Sequence, residues 1–435
     1  MNNKKYIFMA LAVSTVMLTS CSDELINDQK IIKQTGDEIL FGGRARFEQS
    51  QADNNAKTRT IYTGKTYTEN GKTYEGVQWQ ANDKVRIYCP QSNNYKVSDY
   101  VVDSENNGTT SENGDLAGLT RIDPNGALQW GNTNEAHDFY AVYPSPEQYS
   151  TDSKVFTGEN PTMITGVIPN VQVHKGIADG GTIDNSDYQY VLDGNGKPTN
   201  QATKIPSSGK IHVVKPDMDF AYMVARTTIK EPNETGDGVF LNFMPIATAV
   251  EITLRNVAWS ETTPEGQQIL LNSVIVTNAD NIPLYGEFTA DLNTIDVSSE
   301  DQNIYYGTSY PTVQHNKNVA WGNSISLPMY SEGTKGKPLE LNYGDAVKFT
   351  VFVLPTQDIS QLNVTITGIQ GSHTGKISGI QVEKHKKTYL NRVPITGDVL
   401  PFDYENWIRW LEDNVLVREL SIPGEKECSV HYFHR

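Results

Sequence analysis

Asp217 and Asp219 flank Met218, so on a strand their carboxylates would share one face. Two carboxylates that close can push one pKa up and make a general acid, but an Asp-X-Asp leading into a strand is ordinarily a solvated turn. Asp296, Glu300 and Asp301 gather oxygen ligands without the regular spacing of a calcium loop, and a solvated acidic loop is expected there. His431 and His434 are the one closely spaced pair among eight histidines, at the very end of the sequence and with no acidic partner to hold them. Gly42-Gly43 and Gly180-Gly181 lack the strand, Gly-rich turn and helix of a phosphate cradle. No catalytic set, cofactor or metal is expected, and the chain is not read as an enzyme.

The 22 tyrosines and 6 tryptophans offer a different chemistry, because flat rings on a β surface stack on sugar faces. Tyr140, Tyr143, Trp259, Tyr305, Tyr306, Tyr310 and Trp321 are candidates, and Tyr305, Tyr306 and Trp321 would form the glycan site of an alternative, non-polymerising binding module. Most such rings belong to cores or sheet surfaces. A formal charge of -16, from 36 basic and 52 acidic residues, repels phosphate backbones and excludes a nucleic-acid partner. Three cysteines are too few for a disulfide framework; a single Cys89 to Cys428 bond stays open.

The N-terminus carries an address. Lys4 and Lys5 precede an apolar run from Tyr6 to Leu18, too short for a comfortable permanent span. It ends in Leu18-Thr19-Ser20-Cys21, which resembles the lipobox of bacterial lipoproteins. That resemblance implies a signal peptide over residues 1–20, lipidation of Cys21, and a tether over 21–36. Several acyl chains on one residue anchor firmly where a single chain binds only marginally.

These residues must be positioned by strands. The run from Val239 to Leu254, V-F-L-N-F-M-P-I-A-T-A-V-E-I-T-L, alternates with period two on either side of Pro245, so it predicts two consecutive strands, the second opening a new domain. Asn82-Asp83 predicts a turn before Lys84-Val85-Arg86-Ile87-Tyr88, and short strands are expected at Ala127 to Trp130, around Phe139 to Tyr143, and at Asp219 to Ala225. The stretch from Glu159 to Asn200 is rich in Gly, Asn, Asp and Pro, and is weakest as structure from Ala178 to Asn185. An all-β chain follows, with sandwiches over 37–245 and 246–396 and a closing strand from Thr388 to Val393. The tail over 397–435 differs: Asp403 caps a helix with Tyr404, Trp407, Ile408, Leu411 and Val415 on one face. Ser50 to Thr60 is a polar loop in which Arg59 is open to an arginine-specific protease; Arg44 and Arg46 are further candidates.

Taken in order, the lipobox, Trp79 with Asp83-Lys84-Val85-Arg86-Ile87-Tyr88, Asp138-Phe139-Tyr140-Ala141-Val142-Tyr143-Pro144, Phe243, Ile282-Pro283-Leu284-Tyr285-Gly286-Glu287-Phe288 and Val351-Phe352-Val353-Leu354-Pro355 resemble the fimbrillin superfamily of Bacteroidales, of the FimA and Mfa-like type. The resemblance covers roughly residues 38–395. It implies two tandem transthyretin-like β-sandwich domains with Greek-key type connections, and export as an outer-membrane lipoprotein. It also implies removal of the N-terminal strand at Arg59 or Arg46, after which a neighbouring fimbrial subunit adds a donor strand. Asn406 to Gly424 is similar to the entrance of a phosphatidylinositol-specific phospholipase X domain, but Lys426 stands where that family continues toward its catalytic histidine, and a barrel needs about 250 residues.

Overall fold

The structure, a computed structural model, describes residues 33–395 apart from 49–61, 70–71, 81, 103–115, 147–154, 186–189, 193–197, 203–204, 235–237, 259–265, 267, 300–302, 331–336 and 369–370. Among the described residues the chain forms 26 strands, β1 to β26 in chain order, and its helical turns are short 3-10 segments.

Seven strands close a ring: β1 (Leu40–Glu48), β4 (Lys84–Tyr88), β5 (Val97–Val102), β6 (Leu116–Arg121), β7 (His137–Tyr143), β13 (Met223–Ile229) and β14 (Gly238–Pro245). Around the ring, β13 pairs with β7, then β4, β5, β6, β1 and β14 follow, and β14 returns to β13. Every junction is antiparallel except one. β1 runs parallel to β14, with Leu40 opposite Gly238 and Ala45 opposite Phe243, and antiparallel to β6, with Phe41 opposite Leu119. Alternation explains the closure: Val85 and Ile87, Tyr100 and Val102, and Val239, Leu241 and Phe243 are all buried at period two, and rolling the sheet into a barrel covers that face while leaving no edge.

Beyond the ring, the last residues of β1 pair with β3 (Lys72–Val77), to which β2 (Tyr62–Glu69) is added, while β19 (Ile304–Gly307) and β18 (Val297–Ser298) extend β13. A five-stranded sheet runs β26 (Lys387–Ile395), β15 (Thr248–Asn256), β23 (Ala346–Val353), β12 (Ser208–Pro216), β9 (His174–Asp184). A further sheet runs β21 (Ser324–Pro328), β16 (Ile269–Asn278), β24 (Ile359–Gly368), β25 (Gly371–Val382), with β22 (Leu339–Leu341) beside β16. Smaller sheets join β20 (Thr312–His315), β17 (Gly286–Asp291) and β8 (Met163–Ile168), and β10 (Tyr190–Leu192) with β11 (Pro198–Ala202).

The break at Pro245 separates two strands in two sheets, β14 in the barrel and β15 in the five-stranded sheet. β15 is buried at all of its positions, not at alternate ones, so Glu251 and Thr253 are enclosed along with Val250 and Ile252.

Other expectations are revised by pairing. Seven strands close into a barrel with further sheets beside it, an all-β architecture consistent with a β-sandwich type of fold. Pairings cross 245/246 in sequence: β9 and β12 join β23 and β15, while β19 joins β13. Residues 178–184, read as the weakest stretch, lie in β9, an edge strand with a mostly solvated side-chain pattern; an edge needs little apolar sequence. Residues 127–130 make a bridge from Gln129 to Glu38 without a strand, and β13 begins only at Met223 because Met218–Phe220 is a 3-10 turn.

Candidate functional site

The segment over 33–48 is bound along its whole length. Lys33, 5% exposed, donates its ammonium to the Pro232 carbonyl at 2.8 Å and lies 5.4 Å from the Trp130 ring centroid. Thr35 donates its hydroxyl to the Gly131 carbonyl at 2.8 Å. The Gly36 and Ile39 amides donate to the Trp130 and Leu128 carbonyls, and the Trp130 amide returns a bond to Asp37. β1 then enters the ring, where its backbone has a partner on each side.

Side chains divide by parity. Ile39, Phe41 and Ala45 are buried, whereas Leu40 is 37% exposed. Phe41 meets Tyr100 edge-on at 5.0 Å and Phe139 at 5.7 Å. Burying an Ile or Phe side chain contributes about 1.5–3 kcal/mol each, so this ribbon is held by packing as well as by two ladders. Arg44 lies over Phe240, 5.9 Å from its centroid, and Arg46 over Tyr74 at 4.1 Å. Taking β1 out would leave facing edges on β14 and β6 about 9–10 Å apart, the spacing that one extended chain fills.

Cys21 and Arg59 lie outside the described residues, as do the tail helix, Cys428, His431, His434, Glu300, Asp301 and the phospholipase-like segment. Arg46 is half-buried in β1, opposite Gly76 of β3. Tyr305 and Tyr306 are consecutive in β19 and point to opposite faces: Lys230 lies 4.2 Å from the Tyr305 centroid, and Tyr306 meets the Phe240 ring edge-on. Trp321, 44% exposed, packs edge-on against His315 of β20. The three rings do not make one flat platform.

Asp217 caps the 3-10 turn at Met218–Phe220 by accepting from the Asp219 amide, and Lys175 lies 2.9 Å from Asp217 and 3.9 Å from Asp219. They line a cleft of about 270 Å³ with Trp79, Asp83 and Tyr143. Burial pushes the Asp83 carboxyl up to about 6, against bonds from the Gln80 amide and the Tyr143 hydroxyl. That carboxylate shapes the turn at Asn82, whose φ is 74°. Gly42-Gly43 and Gly180-Gly181 lie inside β1 and β9. Among the described residues no group of three His, Cys, Asp or Glu side chains is placed to hold a metal ion. Cys89 is a buried free thiol.

Sequence reasoning missed Lys33, whose neighbours Trp130 and Pro232 lie roughly one hundred and two hundred residues along the chain, and also a buried charge cluster joining β3 to β15, β23 and β26. Nothing local marks either; Glu75 and Lys387 stand 312 positions apart.

No protein-family model matches the chain, and no curated protein matches it. Solved structures do resemble it. A candidate cell adhesion protein from Bacteroides ovatus aligns over 83% of this chain and 93% of its own, at 12% identity and a TM-score of 0.36. Another from Bacteroides uniformis aligns over 82% and 93%, at 13% identity and 0.39. A third, from Bacteroides fragilis, aligns over 83% and 93%, at 8% identity and 0.34. At these identities and scores the likeness assigns no role to any residue.

Proposed function

We propose that the chain is the precursor of a structural or adhesive subunit of a bacterial surface fimbria, exported as an outer-membrane lipoprotein and assembled by donor-strand exchange. One observation carries the reading: β1 is a full stave of the barrel and the first strand among the described residues. Every other stave is tied at both ends into folded chain, so β1 alone is detached by a single cut.

That cut falls between residues 48 and 62, where the sequence holds one arginine, Arg59. Cleavage at Arg46 would instead leave the end of β1 paired with β3. The lipid of Cys21 lies on the same side of the cut as the ribbon. Exchange therefore trades a membrane anchor for a neighbouring subunit, whose strand supplies ladder bonds and apolar side chains in the vacated place. In this reading the barrel and the paired sheets of β15 and β16 are two elaborated forms of the transthyretin-like sandwich.

The test is digestion of the full chain with an arginine-specific protease, followed by displacement of the ribbon in mild denaturant and return to buffer at high concentration. Expected are a cut at Arg59, its loss in Arg59→Ala, and oligomers that survive in unboiled detergent gels. A cut protein that stays monomeric once its ribbon has been driven out would overturn the proposal.

A further inference from the structure

We infer that the groove occupied by β1 selects its occupant by size at two positions: it takes an extended segment with a large apolar residue in the place of Phe41 and bare backbone in the place of Gly43. This rests on the strand-exchange reading above.

A Cβ on Gly43 would sit 3.0 Å from one carbon of the Phe243 ring, 3.5 Å from the next and 3.6 Å from the Leu241 carbonyl oxygen. The backbone at Gly43 is not left-handed, so the restriction is space alone. Phe243 cannot easily retreat. It is fully buried and meets Trp79 edge-on at 5.3 Å, and Trp79 in turn meets Tyr143 edge-on at 5.4 Å. Two residues earlier the floor drops. Phe41 fills a pocket between Tyr100 and Phe139, and Tyr100 is fixed there by its hydroxyl, which accepts the Leu128 amide at 3.1 Å.

A deep pocket followed by a raised floor also sets the register. A slip of one residue would turn Leu40, Gly42 and Arg44 inward. A slip of two would drive either Phe41 against the Phe243 ring or Gly43 into the pocket that Phe41 fills. One alignment against β14 satisfies both positions, the one seen, with Gly43 opposite Leu241 and Ala45 opposite Phe243.

The experiment uses the full chain cut in the loop and fluorescent peptides spanning residues 33–48, with exchange into the barrel followed by anisotropy and gel filtration. The native peptide is expected to enter. The Gly43→Leu peptide is expected to compete at least about tenfold less well, the usual scale of overpacking, and the Phe41→Ala peptide similarly less well for a lost anchor. A Phe243→Leu protein, which lowers the floor without emptying it, should readmit much of the Gly43→Leu peptide. Equal exchange of the native and Gly43→Leu peptides overturns the size selection and leaves strand exchange standing. Failure of the Phe243→Leu protein to discriminate less than wild type overturns the assigned cause. Failure of every peptide, the native one included, removes both the selection and the reading beneath it.

Discussion

The Lys387 ammonium lies 2.9 Å from the Glu75 carboxylate, and neither side chain reaches solvent. Lys387 also sits 3.0 Å from Glu251, Lys348 meets Glu251 at 3.2 Å, and the Tyr389 hydroxyl donates to Glu75. Two positive and two negative groups therefore cancel where β3, a flange of the barrel, meets the five-stranded sheet. Burial opposes the charge on Lys387, but Glu251 and Glu75 outweigh it and hold its pKa above the ordinary lysine value. Burial likewise works against ionised Glu251, and Lys387 and Lys348 outweigh it, leaving its pKa lowered.

Lys387→Met leaves Glu75 and Glu251 with Lys348 as the one remaining ammonium of the cluster, and breaking a buried pair from one side costs about 3–5 kcal/mol. Glu75→Gln in the same background should restore part of that loss, because one uncompensated charge is removed with its partner. Chemical denaturation of the single and double variants measures the coupling. Additive losses, or a loss under about 1 kcal/mol for Lys387→Met, would show that the cluster does not hold the two units together.

Lys33 clips the start of the ribbon. Its ammonium donates to Pro232 from a buried position, and a hydrogen bond from a charged group contributes about 1.5–3 kcal/mol. Lys33→Met keeps the alkyl stem and removes the donor. The amides of Ile39 and Trp130, which bond across this entry, should then exchange hydrogen roughly tenfold or more faster while amides of β15 and β23 keep their rates. Unchanged exchange at Ile39 would mean that the ribbon opens from its other end.

What sequence made legible was local. Pro245 between two period-two runs located the junction of β14 and β15, and Val85 with Ile87 and Phe139 with Ala141 marked staves of the ring. Closure was not legible, because the parallel pairing of β1 with β14 joins strands on opposite sides of the intervening staves, and no residue in β1 announces its partner. In β15 Glu251 and Thr253 alternate with aliphatics, yet both faces of the strand are buried. Lys348 and Lys387, on strands paired with β15 on either side, make burial of Glu251 tolerable. β9 escaped notice for the opposite reason: an edge strand is free to be rich in Gly and Asp.

Cys89 is expected to be inert in the folded protein. Burial pushes its thiol up to about 12, so almost no thiolate exists at pH 8 and alkylating reagents have no route to it. Site-resolved mass spectrometry after iodoacetamide treatment should find Cys89 unlabelled when native and labelled after unfolding without reductant. Labelling of the native protein would contradict the burial; persistent protection after unfolding would reveal a bond to another cysteine.

Acid stability should carry the signature of His385. Its Nδ1–H donates to the Ile246 carbonyl at 2.7 Å, its ring stacks on Tyr310 at 4.6 Å, and burial lowers its pKa from 6.5 to about 4. Between those values the unfolded chain binds the proton and the folded one does not. Stability therefore rises with pH across about 4 to 6.5, by on the order of 3 kcal/mol for this residue. His137, His174 and His212 lean the same way, each lowered chiefly by burial. Asp83 opposes them: raised from 3.8 to about 6, it keeps its proton in the fold, so its contribution falls as pH rises through that window. His385→Asn suits the backbone, since φ is 64° at this position and Asn tolerates the left-handed region. The stability difference between wild type and His385→Asn, followed by Tm from pH 4 to 7, should grow with pH and level off above 6.5, whereas the difference for Asp83→Asn should run the other way. Parallel curves for wild type and His385→Asn would mean that His385 titrates alike in both states, which its enclosure between Tyr310 and Ile246 forbids.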